Sequence, residues 1–266
     1  MKTILAPVDF SDAANNSVSF AAELARRTSA RLLIVHILQK GDDENETLKK
    51  LKSLESDLKK SFGSGLHCES LLAHGNLVAG LRKLIALQPP DLIIMGTKGA
   101  SGLKKIFIGS NTVNVIADIR LPVLVIPEVA RFDYFLSKGR NRIVLATDLE
   151  ELENEGALDI LKEIALLIIG SKLRVLSVRP KNAELANSKR KERDYLLSFF
   201  KPEIECERVT IFSPSVIGGI NFYLNERNED TGLVAMIARD SGHLIQKHYT
   251  REMASHTHLP LLVLHD

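Results

Sequence analysis

Short, nearly unbroken apolar runs alternate along the chain with amphipathic segments. In the first half the runs are ILAPV, RLLIVHIL, DLIIMG and LPVLVIP, which start at residues 4, 31, 91 and 121. Such runs are typical of parallel strands covered on both faces, whereas half-exposed strands alternate apolar and polar positions. We therefore expect these runs to be the strands of an open parallel sheet.

The segments between the runs carry apolar residues at helical spacing, and Ser11 is the expected N-cap of the first helix. The predicted helix faces are Val18, Ala21, Ala22 and Ala25; Leu48, Leu51, Leu54, Leu58 and Phe62; Leu77, Leu81, Leu84 and Ile85; and Val113, Ile116 and Ala117. Strands that alternate with such helices predict right-handed βαβ units and a doubly wound α/β sheet. Ligands of these sheets bind beyond the carboxyl ends of the strands.

The second half of the chain repeats the first at an offset of 138 to 141 residues. Five pairs match in order: TILAPVDF with RIVLATDL, RLLIVHI with KLRVLSV, HCESLLAHGNLVAG with ECERVTIFSPSVIGG, DLIIM with GLVAM, and LPVLVI with LPLLVL. The first pair places Asp9 opposite Asp148. Five collinear pairs predict a duplicated unit, and 266 residues suit two domains of common size. We expect domains at 1–128 and 141–266, joined by a linker at 129–140.

The segment after DLIIM contains the candidate chemistry. Gly96 and Gly99 let the backbone approach a ligand without a Cβ in the way. Ser110, Asn111 and Thr112 follow Gly109 at the predicted start of the last helix, where free amides and the helix dipole favour an anion. A phosphate chain is the ligand that this combination favours.

Lys98, Lys104 and Lys105 add positive charge to the same segment. The spacing matches neither GxGxxG nor GxxxxGK[ST], so the common dinucleotide and NTPase motifs are excluded. The structural alternative is that the glycines only form a turn and that Ser110 only caps a helix.

The motif Gly96-x2-Gly99-x9-Gly109-Ser110 resembles the ATP-binding signature of the universal stress protein family. ILAPVDFS, RLLIVHIL and LPVLVIP resemble the first, second and fifth strands of that family. The resemblance implies two tandem, Rossmann-like, doubly wound, open parallel five-stranded sheets. Because dimers of the family commonly pair through the fifth strand, it also implies a pseudo-dimer within one chain.

The resemblance also implies a ligand and its contacts. It places adenine near Asp9 and against the backbone at Ile37. It places the ribose and phosphates of ATP, with Mg²⁺ on the phosphates, along Met95, Gly96, Gly99, Gly109, Ser110, Asn111 and Thr112. For Asp9 the structural alternative is a cap on the helix that starts after Ser11, and the two roles are compatible.

The second domain departs from this pattern. Ile237 stands opposite Gly96, Asp240 stands opposite Gly99, and no Gly-Ser pair precedes the last helix. A side chain would occupy the approach path of the backbone, and a carboxylate would repel phosphate. We therefore expect ATP in the first domain only, although the second retains Asp148.

Composition limits the other classes of function. Lys and Arg (35) nearly balance Asp and Glu (33), which gives no general case for binding nucleic acid or a membrane surface. The basic run at 189–193 is better explained as a helix face.

The apolar runs are shorter than the roughly 20 residues that span a bilayer, and Asp9 interrupts the only candidate signal peptide. Cys68 and Cys206 are the only cysteines, so we expect packed thiols and a cytoplasmic location.

Two questions stay open at this level. His243, His248, His256 and His258 lie close together with Asp240 and Glu252, which indicates either a metal site or, more commonly, a solvated surface. No catalytic nucleophile or metal-bound base can be named, which favours a nucleotide-dependent regulatory or stress-response protein over a weak ATPase. The alternative is a nucleotide-independent scaffold that contacts a protein partner or forms a homodimer.

Overall fold

A computed structural model describes residues 1–97, 110–135, 139–181, 184–227, 229–239 and 259–266. The chain divides into two compact units, Met1–Arg131 and Phe132–Asp266. Each unit is an α/β structure that contains five parallel strands. Among the described residues, no helix is both long enough and apolar enough to cross a membrane.

Unit 1 alternates strands and helices from its first residues. Its elements are β1 (Thr3–Pro7), α1 (Asp12–Thr28), β2 (Arg31–Leu38), α2 (Glu44–Phe62), β3 (His67–His74), α3 (Leu77–Leu87), β4 (Leu92–Gly96), α4 (Ser110–Asp118) and β5 (Val123–Ile126). The strand order is β3-β2-β1-β4-β5, and neighbouring strands are parallel. The predicted α/β class and doubly wound parallel sheet are confirmed.

Unit 2 has the same order of paired strands. Its elements are α5 (Phe132–Phe135), β6 (Arg142–Ala146), α6 (Gly156–Leu166), β7 (Lys172–Arg179), α7 (Asn187–Phe200), β8 (Glu205–Phe212), α8 (Val216–Glu226), β9 (Thr231–Ala238) and β10 (Leu261–His265). The order is β8-β7-β6-β9-β10, again with parallel neighbours. Ile237 pairs with Leu264 where Gly96 pairs with Ile126 in unit 1.

The first helix follows its sequence closely. The Ser11 hydroxyl accepts a hydrogen bond from the Ala14 amide at 3.3 Å, so Ser11 is the N-cap. The predicted face of α1 is buried against the sheet. The apolar spacing and the cap therefore predict both the start and the orientation of this helix.

Two predicted helix faces need correction. Leu48 in α2 is 41% exposed, whereas Leu51 and Leu58 are buried, so the buried stripe is narrower than predicted. In α4 the predicted Ile116 is buried, but Val113 and Ala117 are only half-buried, and Thr112 and Val115 are buried in addition. The α4 face is rotated because the Thr112 hydroxyl points inward and donates a hydrogen bond to the Gly96 carbonyl at 3.0 Å.

Candidate functional site

The candidate site of unit 1 lies where the chain changes direction across its sheet. From β1 the chain proceeds outward to β2 and β3, and β4 then pairs with the other side of β1. The carboxyl ends of β1 and β4 thus meet at a topological switch point, where open α/β sheets bind ligands. The segments there are the β1–α1 loop, residues 8–11, and the residues after β4.

Gly96 is the last residue of β4, and α1 packs directly against it. A Cβ built on Gly96 would lie 2.4 Å from the Ala13 carbonyl oxygen and 2.8 Å from its carbonyl carbon. Both atoms belong to helix backbone, which cannot rotate away as a side chain can. Close packing of α1 on β4 therefore requires glycine here, in addition to the ligand contact that the sequence predicts.

The first turn of α4 is fixed to the end of β4. The helix begins at Ser110, as predicted, and the hydrogen bond between Thr112 and Gly96 joins the two elements. Ser110 and Asn111 are exposed, whereas Thr112 and Met95 are buried. Among the predicted phosphate contacts in the described part of the chain, Ser110 and Asn111 are thus the accessible side chains.

Asp9 lies on the other side of the switch point, directly after β1. Its carboxylate accepts hydrogen bonds from the Ser11 amide at 3.0 Å and from the Ser11 hydroxyl at 2.5 Å. The side chain thus supports the helix cap, as the structural alternative proposes, and Asp9 remains exposed. Support of the cap and contact with a ligand are compatible here.

Ile37 lies inside β2, one residue before its end. Its side chain is buried, and a Cβ built on Gly80 of α3 would lie 2.8 Å from the Ile37 Cδ1. Glycine at position 80 therefore makes room for Ile37. The ligand contact at the Ile37 backbone that the resemblance implies stays a prediction.

Two aromatic residues join Asp9 and Ile37 at this end of the sheet, and neither was predicted from the sequence. The rings of Phe10 and His36 stack with their centroids 4.8 Å apart and their planes 23° apart. Each is the chain neighbour of a predicted contact, which was the available signal. Gly99, Gly109, Lys98, Lys104 and Lys105 lie outside the described residues, as does the cluster of histidines between residues 243 and 258.

The corresponding end of unit 2 is built differently. Residues 147–155 connect β6 to α6, a longer segment than the one that connects β1 to α1, so the helix starts farther from the strand. The side chain of Arg239 lies there and is only 7% exposed. Its guanidinium donates hydrogen bonds to the backbone oxygens of Glu150 and Glu151, each at 2.5 Å, and pairs with the Asp266 carboxylate.

Carboxylates surround Arg239. Asp148, which corresponds to Asp9, approaches the Arg239 Nε to 3.5 Å. Glu192 is buried on α7, where burial raises its pKa although the positive charge of Arg239 acts in the opposite direction. Asp266 also accepts hydrogen bonds from the amides of Glu153 and Asn154, at 2.6 and 2.9 Å. Within the described residues, this end of unit 2 thus holds a buried arginine that is paired with carboxylates.

The remaining candidates take part in ordinary packing. Cys68 in β3 and Cys206 in β8 are both free thiols, and burial raises the pKa of each. The basic run at 189–193 lies on α7, where Lys189 pairs with Glu150 at 2.6 Å. Within the described ranges no group of three or more His, Cys, Asp or Glu residues could hold a metal ion.

Comparisons with known proteins identify the class of this fold. A family model described as the Universal stress protein family matches residues 1–127. A universal stress protein of Thermus aquaticus, described as lying in the QAH/OAS sulfhydrylase 3′ region, is 30% identical over 134 residues, covering 47% of this chain and 98% of the relative. The universal stress protein YxiE of Bacillus subtilis is 26% identical over 143 residues, covering 46% of this chain and 97% of that protein.

Two solved structures extend the likeness in fold to the whole chain. A universal stress protein of Archaeoglobus fulgidus superposes with a TM-score of 0.76 at 17% identity, covering 99% of this chain and 98% of that one. One from Pseudomonas aeruginosa gives a TM-score of 0.68 at 15% identity, covering 100% and 93%. The chain belongs to the universal stress protein family.

Proposed function

We propose that this protein is a cytoplasmic, nucleotide-dependent regulator in the stress response, and that unit 1 binds ATP with Mg²⁺ on the phosphates. Membership of the universal stress protein family supports the role in stress. The two free thiols suit a reducing compartment. The ligand is proposed from the end of unit 1 at which the sequence signature lies.

The start of α4 is the observation that carries the proposal. The bond from Thr112 to the Gly96 carbonyl holds the first turn of α4 at the switch point. Ser110 and Asn111 are exposed there, and α4 is nine residues long. A helix N-terminus favours a phosphate because its amides lack partners within the helix and its dipole is positive there.

The opposite side of the switch point suits the base. Asp9 is exposed. The side chain of Ile37 is packed against α3, so its backbone is the part that would contact a base. A nucleotide that lies across the carboxyl ends of β2, β1 and β4 would have its base near Asp9 and Ile37. Its phosphates would then lie at the start of α4. The residues present thus fit a nucleotide, and Mg²⁺ would neutralise charge on its phosphates.

We assign binding rather than catalysis to unit 1. In the described part of this site, the carboxylate that could act as a base is that of Asp9. Hydrogen bonds from Ser11 hold this carboxylate in the capping arrangement. Phosphate contacts stabilise the bound nucleotide, but catalysis requires groups that act more strongly on the transition state.

Substitutions that add a charge to α4 test the proposed phosphate end. Ser110→Asp places a carboxylate where the phosphates would lie, and we expect Mg-ATP affinity to fall at least about tenfold. Asn114→Asp is the matched control, because Asn114 is also exposed on α4 but lies one turn farther from the helix start. We expect the control to change affinity by less than about twofold, since the helix-end effect falls off within one turn.

Isothermal titration calorimetry of nucleotide-free protein provides the measurement. Equal losses in the two variants would contradict a phosphate site at the start of α4. Wild-type protein that binds no Mg-ATP would contradict the proposed function and favour a scaffold that acts without nucleotide.

A further inference from the structure

Strand β8 is an edge strand of unit 2. In the described part of the chain it pairs with β7 alone, over eight residues. The Ser213 amide, directly after β8, donates a hydrogen bond to the Arg179 carbonyl oxygen of β7 at 3.0 Å. Because backbone groups alternate in direction along a strand, the amides and carbonyls of Cys206, Arg208 and Thr210 point away from β7. Such a row of outward backbone groups is a template for a further strand.

The corresponding edge of unit 1 already holds a carboxylate. The amide and hydroxyl of Ser70 in β3 donate to the Glu55 carboxylate of α2, at 3.0 and 2.5 Å. The Gly75 amide donates to the Leu38 carbonyl oxygen of β2, so by the same alternation the Ser70 amide points away from β2. In unit 1 an acidic side chain of the protein itself therefore occupies the edge amide.

Unit 2 has arginine at both positions of that contact. β3 and β8 begin 138 residues apart, and α2 and α7 end 138 residues apart. At this offset Arg208 takes the place of Ser70, and Arg193 takes the place of Glu55. Arg208 is exposed, whereas Arg193 is half-buried and pairs with its exposed neighbour Asp194 at 2.8 Å. The edge of unit 2 thus presents cations where unit 1 supplies its own carboxylate.

The two faces of β8 differ in character. Both glutamates of β8 pair with cations of β7, at 2.7 and 2.9 Å, on one face of the strand. Val209 and Ile211 share that face and are half-buried. Arg208 lies on the other face, where the Arg179 guanidinium lies 5.1 Å from the centre of the exposed Phe212 ring. One face of the edge strand is therefore positively charged, and the other is partly apolar.

We propose that β8 is a docking surface for an extended acidic segment of a partner protein, which adds to unit 2 as a further strand. Carboxylates alternate with apolar side chains in the segment that fits, because neighbouring residues of a strand point to opposite faces. The carboxylates would lie beside Arg208 and Arg193, and the apolar side chains beside Val209 and Ile211. Backbone hydrogen bonds supply affinity in this mode of recognition, and side chains supply specificity. The inference does not depend on ATP binding.

Charge exchange tests the recognition of an acidic segment. The probe is the fluorescein-labelled peptide Thr-Glu-Val-Glu-Val-Glu-Thr, and fluorescence anisotropy measures its binding to the full chain. We expect Arg208→Glu to weaken binding at least about tenfold and to bind instead the same peptide with Lys in place of Glu. Lys83→Glu is the matched control, because it changes the net charge equally at an exposed position of α3, and it should stay within about twofold.

Proline substitution tests the addition of a strand. The Thr210 amide points away from β7, so Thr210→Pro removes a donor from the edge without removing a hydrogen bond between β7 and β8. We expect this variant to bind the peptide at least about tenfold more weakly, whereas Thr210→Ala, which keeps the amide, should stay within about twofold. Unchanged binding by Thr210→Pro that melts as cooperatively as wild type would refute strand addition.

Other results would overturn the proposal as a whole. If wild-type protein binds the Glu peptide no more tightly than the same peptide with Gln, the carboxylates are not recognised. If Arg208→Glu binds the Glu peptide as wild type does, the peptide lies elsewhere. If wild-type protein does not bind the Glu peptide, an acidic segment is not the occupant. Dimers of wild-type protein in sedimentation experiments, absent in Thr210→Pro, would then assign the edge to a second copy of the chain.

Discussion

Gly96 allows α1 to pack closely on β4 at the end of the sheet where we propose that ATP binds. In unit 1 the backbone of Ala13 lies where the Cβ of any other residue at position 96 would be. In unit 2 the corresponding Ile237 is half-buried, and α6 starts much later after its strand than α1 does. The glycine and the early helix start therefore occur together, and so do the isoleucine and the late start.

This relationship predicts a large effect of one methyl group. Gly96→Ala should lower the free energy of unfolding by about 3 kcal/mol, because neither the helix nor the strand backbone can yield without losing contacts. Urea denaturation followed by circular dichroism measures the change. Gly65→Ala is the control, since its Cβ would meet only the Arg26 Cγ at 3.6 Å, and it should stay within about 0.5 kcal/mol. Similar values for both variants would show that the Ala13 contact does not restrict position 96.

For single residues, the sequence predicts the structural role where the side chain has one clear local function. Ser11 as an N-cap and Ser110 as a helix start follow from hydroxyl capping and from the glycine before the helix. The left-handed backbone of Phe10, with a φ angle of +62°, could not be predicted, because phenylalanine does not favour that conformation. Its ring stacks on that of His36, a residue of the next strand that comes close only in the folded structure.

Whole elements were easier to predict than their faces. The apolar runs became parallel strands because burial on both faces removes the need for alternating polarity. The face of α4 was predicted only in part, at Ile116, because a periodicity rule treats Thr112 as polar and exposed. In the structure, its hydroxyl has a specific acceptor at the end of β4.

Glu55 joins α2 to β3 and makes this contact sensitive to pH. Its carboxylate accepts hydrogen bonds from the Ser70 amide and hydroxyl, at 3.0 and 2.5 Å, and from Lys52 and Lys59, at 2.8 and 2.6 Å. Burial alone would raise the pKa of Glu55, but the hydrogen bonds from Lys52, Lys59 and Ser70 outweigh it and lower the pKa from 4.5 to about 2.

Because folding lowers the pKa, ionised Glu55 stabilises the fold fully above about pH 4.5, and this contribution is lost as the pH falls toward 2. We therefore expect Glu55→Gln to have a lower melting temperature than wild type at pH 7, and the difference to shrink between pH 5 and pH 3. Glu46→Gln on the same helix is the control, because its pair with Lys50 is exposed and contributes little. A difference that stays constant over this range would contradict the role of Glu55.

Across the whole molecule, the two units share an order of strands and differ at the carboxyl ends of those strands. Unit 1 has an aromatic pair, an exposed aspartate and an accessible helix start, whereas Arg239 and its carboxylate partners lie at the same end of unit 2. The repeat in the sequence predicts that the two units share one fold, because each apolar run recurs at a nearly constant offset. It could not predict the ion pair of Arg239 and Asp266, which joins the ends of two neighbouring strands.

This asymmetry makes stoichiometry the most informative quantity to measure. Isothermal titration calorimetry of Mg-ATP into nucleotide-free protein should give one site per chain, and Gly109→Val, which alters the predicted phosphate loop, should abolish it. No binding by the wild-type chain would contradict the nucleotide function. Two sites per chain would contradict the expectation that only unit 1 binds ATP.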